Sequence, residues 1–212
     1  EGPSTGKLAI FLRLAGCNRA TESKRMLFED IIAELARLAG KHQPRIIITG
    51  GEPLLQQDAL VAFIDRIKLA KGLRFYPKIE VETNGTIKPS SRLSILVSQW
   101  NVSPKLTHSE DSPTDTIKED ALNYFANLAA HNYTTVTTVF KFVCRQTSDY
   151  EEVERLAAAA GIPSQNIWIM PEGRSHEFIT KRLRELAPGA IARGYNLSTR
   201  LQLHIWGSTR GT

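Results

Sequence analysis

Four short stretches of the chain carry the residue types that could do chemistry: Gly16-Cys17-Asn18, Thr49-Gly50-Gly51-Glu52-Pro53, Glu82-Thr83-Asn84-Gly85 and Ser103-Pro104-Lys105. Each combines glycine or proline with an acid, amide, hydroxyl, thiol or cation. Paired glycines let a ligand approach the backbone, and a proline fixes the turn beside them. Glu52 is suited to accept hydrogen bonds from an ammonium group. Glu82 and Asn84 suit hydroxyls, and Lys105 offers a positive charge to a carboxylate. That set fits an amino-acid-like ligand. Any one stretch alone would read as a turn, and a lone Asn-Gly would read so strongly.

The elements that must position these turns follow from periodicity. "LAIFLRL" (8–14), "RIIIT" (45–49), "KIEVET" (78–83), "WNVSP" (100–104), "VTTVFKFVC" (136–144), "NIWIMP" (166–171) and "RLQLHIW" (200–206) read as strands. Between them lie amphipathic helical stretches. "FEDIIAELARLAG" puts Ile31, Ile32, Leu35 and Leu38 on one face and stops at Gly40; "QDALVAFIDRIKLAKG", "IKEDALNYFANLAA" and "EFITKRLRELA" follow the same logic. "DYEEVERLAAAAG" opens with acids that suit a helix N-terminus and closes at Gly161. Strand and helix alternate almost throughout, which predicts an α/β fold with a mostly parallel sheet, as one domain over residues 1–212. A closed eight-unit barrel needs about 250 residues, so a partial, TIM-like (β/α)6 barrel is expected. In such folds ligands sit at the C-terminal strand ends, where all four polar turns fall.

The net charge of +5 comes from scattered Lys and Arg. No basic stripe with interleaved aromatics suggests nucleic acid, and the modest excess suits an anionic small molecule. No apolar run reaches the roughly 18 residues of a membrane span. No export signal opens the sequence, so a cytoplasmic protein is expected. Cys17 and Cys144, far apart in sequence, read as two free thiols, the second closing a strand as a small apolar residue. Arg13 stands among apolar strand neighbours, where a guanidinium is costly unless an anion meets it. His204 alone would read as a satisfied core imidazole. Trp168 and Met170 read as packing, and Glu172 is an unassigned candidate at the end of its strand.

Taken together, "RLAGCN", "GGEP", "ETNG" and "SPK" after successive strands resemble the radical S-adenosylmethionine enzymes. More narrowly, "EGPSTGKLAIFLRLAGCN", "NVSPKL", "WIMPEG" and the terminal "LQLHIWGSTRGT" resemble the 7-carboxy-7-deazaguanine synthase family, over nearly the whole chain. The resemblance implies a [4Fe-4S] cluster held by three cysteines, S-adenosyl-L-methionine, Mg2+ and a radical ring contraction of 6-carboxy-5,6,7,8-tetrahydropterin with loss of ammonia, in queuosine or related 7-deazapurine biosynthesis. It also implies a homodimer and an external electron donor such as flavodoxin. By position, Cys17 matches the first cluster ligand. Glu52, Gly85, Ser103, Pro104 and Lys105 match cofactor contacts. Glu1, Arg13, Thr83, His204 and the terminal Thr212 match substrate contacts.

The sequence departs from that pattern at one place. The resemblance implies cysteines where Thr21 and Lys24 stand, and one thiolate cannot hold four irons. A further loop between Ala20 and Thr21, carrying two more cysteines, is therefore expected. The rival reading is a cluster-less binding or regulatory protein on the same barrel.

Overall fold

The structure is a computed structural model that describes residues 1–15, 25–70, 76–109, 119–130, 136–207 and 209. Seven strands lie in one sheet in chain order, with β1 and β7 at its two ends. They are β1 (Ala9–Leu14), β2 (Arg45–Gly50), β3 (Ile79–Thr83), β4 (Gln99–Val102), β5 (Thr137–Cys144), β6 (Ile167–Pro171) and β7 (Asn196–Leu197). The α/β class and parallel sheet expected from the sequence are what the chain forms. The described residues group into two compact units, 7–83 with 87–100, and 1–6 with 84–86 and 101–212.

In the first unit β1, β2 and β3 pair in parallel, with Phe11 opposite Ile47, Arg13 opposite Thr49 and Ile48 opposite Val81. The β-branched run of β2 has no polar interruption, and Ile46 and Ile48 are fully buried, as both-face burial of a parallel strand requires. Helix α1 (Phe28–Ala39) buries Ile32, Leu35 and Ala39, and α2 (Gln57–Leu69) buries Leu60, Phe63, Ile64 and Ile67, the spacing of a single helical face. The Phe28 and Phe63 rings meet at 5.4 Å between centroids. A short helix that periodicity does not single out, α3 (Ser91–Leu96), is capped by the Ser90 hydroxyl accepting from the Leu93 N–H.

The second unit pairs β5 with β6 and β6 with β7, again in parallel. Around them lie α4 (Glu119–Ala130), α5 (Asp149–Ala160) and α6 (His176–Ala192). Gly161 ends α5 in the left-handed conformation. Tyr150, fully buried on α5, donates its hydroxyl to the Leu186 carbonyl of α6 at 2.6 Å.

The expected last strand over 200–206 is instead a short helix, α7 (Leu201–Trp206), preceded by the two-residue β7. The cause lies in the partner strand. Ser198 donates its N–H to the Ile169 carbonyl, and the next rung of a parallel ladder would need an N–H from Pro171, which has none. The ladder stops there and the chain turns away.

Candidate functional site

In the second unit a cavity of about 670 Å³ opens beyond the C-terminal ends of its strands. Its walls come from the turns after β4 (Pro104, Lys105, His108), β5 (Arg145), β6 (Glu172, Arg174) and β7 (Arg200), with Arg182 from α6. These turns are held in place. Thr107 donates its N–H and hydroxyl to Glu152 of α5 at 3.0 and 2.6 Å. Asp149, at the start of α5, accepts the N–H groups of Arg145 at 2.6 Å and Gln146 at 3.3 Å, with His108 Nδ1 at 3.6 Å from the same oxygen.

Cations dominate the lining: among the described residues Lys105, Arg145, Arg174, Arg182 and Arg200 stand against one lining carboxylate, Glu172. Arg145 grips Glu172 with two donors, Nε at 2.6 Å and Nη2 at 3.1 Å. Arg182 Nη1 lies 3.3 Å from the same carboxylate and donates to the Glu172 carbonyl at 2.6 Å. The Arg145 hydrogen bond holds the Glu172 carboxyl below the ordinary range; partial burial opposes this, and the charges of Arg145, Arg182 and His108 reinforce it. A surplus of fixed positive charge in a concave site attracts an anionic ligand.

Beside the cavity, Glu1 reaches Lys141 of β5, Oε2 to Nζ at 2.5 Å, and its other oxygen lies 3.9 Å from Arg200 Nε. Burial pushes the Glu1 carboxyl up, but the Lys141 and Arg200 charges outweigh it and hold it low. The segment carrying Glu1 is pinned by the Gly2 N–H donating to Ser198 Oγ at 2.8 Å. Gly85 adopts φ +79°, and a Cβ there would come within 2.8 Å of Val102 Cγ1, so only glycine fits. Asn84 Oδ1 accepts from the Thr86 N–H and hydroxyl, which gives it a turn-shaping role. His204 Nε2 bonds Thr199 Oγ1 at 2.6 Å and stacks edge-on with His176 at 4.7 Å. It therefore sits on α7, where the sequence reading had a strand.

The first unit holds the other predicted residues. Glu52 Oε1 accepts from Thr83 Oγ1 at 2.8 Å and from the Leu54 N–H at 3.0 Å, so the two predicted positions meet. Thr49 Oγ1 donates to Glu82 Oε2 at 2.8 Å. Arg13 is exposed, opposite Thr49, so the premise that burial of its guanidinium demands an anion does not hold. Its neighbours in sequence are apolar, but alternation along an edge strand turns it outward with Phe11. Cys17 and Thr212 lie outside the described residues. Cys144 is buried in β5, and burial, with Asp149 and Glu152 nearby, pushes its thiol up to about 12. It stays a protonated, apolar filler.

Sequence reasoning missed Arg145, Arg182 and Arg200 and left Glu172 without a role. Arg145 and Glu172 each follow directly on a strand, the same signal that exposed the other turns. Arg182 is one of several charges on an amphipathic helix, and nothing local separates it from its neighbours.

The fold and this site define a parallel α/β protein with a cation-lined cavity at its strand ends. A solved structure described as "Native anSMEcpe with bound AdoMet" shares the fold at a TM-score of 0.56 and 13% identity, over 92% of this chain and 64% of its own. No family model matches the chain. Curated relatives do: proteins named 7-carboxy-7-deazaguanine synthase from Pyrobaculum aerophilum (32% identical, 100% of this chain and 91% of the relative), Rhodopirellula baltica (28%, 100% and 84%) and Halobacterium salinarum (30%, 97% and 86%). The chain belongs to the 7-carboxy-7-deazaguanine synthase family.

Proposed function

We propose that this chain is a 7-carboxy-7-deazaguanine synthase, converting 6-carboxy-5,6,7,8-tetrahydropterin to 7-carboxy-7-deazaguanine with loss of ammonia and using S-adenosyl-L-methionine. The match to synthase relatives over the full chain carries this reading. The cationic cavity supports it, since a carboxylated pterin is the kind of anion such a lining would hold. In this reading Gly85, Ser103, Pro104, Lys105 and Glu52 serve the cofactor, and Glu1, Arg13, Thr83 and His204 the pterin, with Thr212 at the chain end. A homodimer, Mg2+ and an external electron donor such as flavodoxin belong to the same proposal. Among the described residues no helix is long and apolar enough to cross a membrane, in keeping with a small-molecule enzyme.

The [4Fe-4S] cluster that supplies the reductive cleavage in this family is not accommodated by the thiols at hand. The sequence has two cysteines. Cys144 is buried and protonated, and among the described residues no group of three His, Cys, Asp or Glu could hold a metal. The proposal instead requires ligands from a segment between Ala20 and Thr21. The P. aerophilum relative aligns over 226 residues against 212 here, a difference of 14 positions without counterpart in this chain.

Anaerobic reconstitution with iron and sulfide, followed by an assay for 7-carboxy-7-deazaguanine, tests the reading. About four irons per chain, a mass above 23.6 kDa and product formation are expected. A chain of that mass that retains no iron and makes no product would leave the cluster-less binding protein as the better account.

A further inference from the structure

One guanidinium beside the cavity is left with less anion than its surroundings demand. Arg200 lines the cavity with its side chain 24% exposed. Its Nε is sealed from water and has no hydrogen-bond partner among the described residues. The nearest carboxylate oxygen, Glu1 Oε1, is 3.9 Å away, beyond hydrogen-bond range. Glu1 is committed to Lys141, its Oε2 accepting from Nζ at 2.5 Å. The Arg200 guanidinium is largely withdrawn from water, and an incompletely compensated cation in such a place is costly.

Among the described residues the rest of the cavity does not make up the deficit. Glu172, its lining carboxylate, is gripped by Arg145 and Arg182. Arg200 lines the cavity, and a guanidinium carries a fork of donors whose shape matches a carboxylate. Arg13 satisfies no such argument, because water already solvates it.

We propose that Arg200 anchors a carboxylate of the bound ligand, with Glu1 and Lys141 holding the guanidinium in place. This rests on the synthase reading and deepens it, since it names the side chain that tells a carboxylated ligand from an uncarboxylated one. Two ligands of that reading bring a carboxylate, the pterin and the methionine moiety of S-adenosylmethionine.

The test measures binding of 6-carboxypterin, of pterin and of S-adenosylmethionine to the full, reconstituted chain and to its Arg200→Gln and Arg200→Lys variants, with thermal melts alongside. Arg200→Gln should weaken 6-carboxypterin by about 10- to 100-fold, the loss of a charge-assisted fork, and leave pterin within about twofold. Arg200→Lys keeps the charge without the fork and should recover part of the loss. It also serves if the glutamine variant fails to fold. The same loss falling on S-adenosylmethionine instead would keep Arg200 as the anchor and assign it the methionine carboxylate. Equal weakening of pterin and 6-carboxypterin, or undiminished binding of every probe, would overturn the proposal. Unsubstituted protein that binds none of the three would instead sink the synthase reading, and the anchor with it.

Discussion

Glu80 and Glu172 are both carboxylates bonded to arginine, and their surroundings could hardly differ more. Glu80 lies inside β3 with no exposed surface, accepts from Arg45 Nη1 at 2.6 Å and from Gln99 Nε2 at 3.2 Å, and belongs to a unit whose nearby polar groups are likewise paired: Thr49 with Glu82, Thr83 with Glu52. Glu172 follows β6, is about a third exposed, and is the lone lining acid beside five cationic side chains among the described residues. Around Glu80 the buried charge is met within a hydrogen-bonded network, which fixes neighbouring strands and leaves little to offer a ligand. Around Glu172 the described lining residues carry more cations than acids, and that local excess is what a bound anion would complete. Pairing, more than the number of charged residues, separates scaffold from site.

If the first unit is a closed scaffold, disturbing it should cost folding. The largest effect is expected at Gly50, whose φ is +133° and where a Cβ would fall 2.1 Å from the Leu14 carbonyl oxygen. That contact is with backbone of the paired strand β1, so no side chain can move to relieve it. Gly50→Ala should cost more than about 4 kcal/mol, lowering the melting temperature by about 10 °C or more or leaving the protein insoluble. A near-normal melt would show that β1 is not held in this register. Next comes Glu80→Ala, which leaves Arg45 partly buried without its anion and should cost about 3 kcal/mol in denaturant unfolding. A loss below 1 kcal/mol, the range of surface pairs, would erase the contrast with Glu172.

The difference also explains what could be read from the sequence. Strands such as β2 and β5 and helices such as α1 and α5 were legible because burial is written locally, as an unbroken β-branched run or as apolar residues three and four apart. The turns were legible because glycine, proline and strand ends are local too. The 200–206 segment misled because Leu-Gln-Leu-His-Ile alternates like a strand, while the decision was taken elsewhere, by the missing N–H of Pro171. The Arg13 argument failed for the same reason: apolar neighbours in sequence do not show which face of a strand is covered. The cavity's charge surplus was illegible, because it depends on which arginines are already paired, and Arg145, Arg182 and Arg200 look alike until Glu172 and Glu1 are placed beside them.

The smallest expected effect on stability sharpens the comparison from the other side. The Glu172 carboxyl sits below its ordinary range when folded, so its ion pairs contribute stability above the unfolded glutamate value of about 4.3. That contribution is lost as pH falls through the depressed folded value. Because the pair is about a third exposed, solvent screens it, and Glu172→Gln should cost less than about 1 kcal/mol at pH 7. Melts of the two proteins should converge in strong acid, where both side chains are neutral. Meanwhile Arg145 and Arg182 lose their shared anion, so the variant should bind inorganic phosphate more tightly than the unsubstituted chain, in a calorimetric titration at low salt. A destabilisation as large as that of Glu80→Ala, with no gain in phosphate affinity, would mean that Glu172 closes a structural network just as Glu80 does, and that the cavity's surplus charge is not available to a ligand.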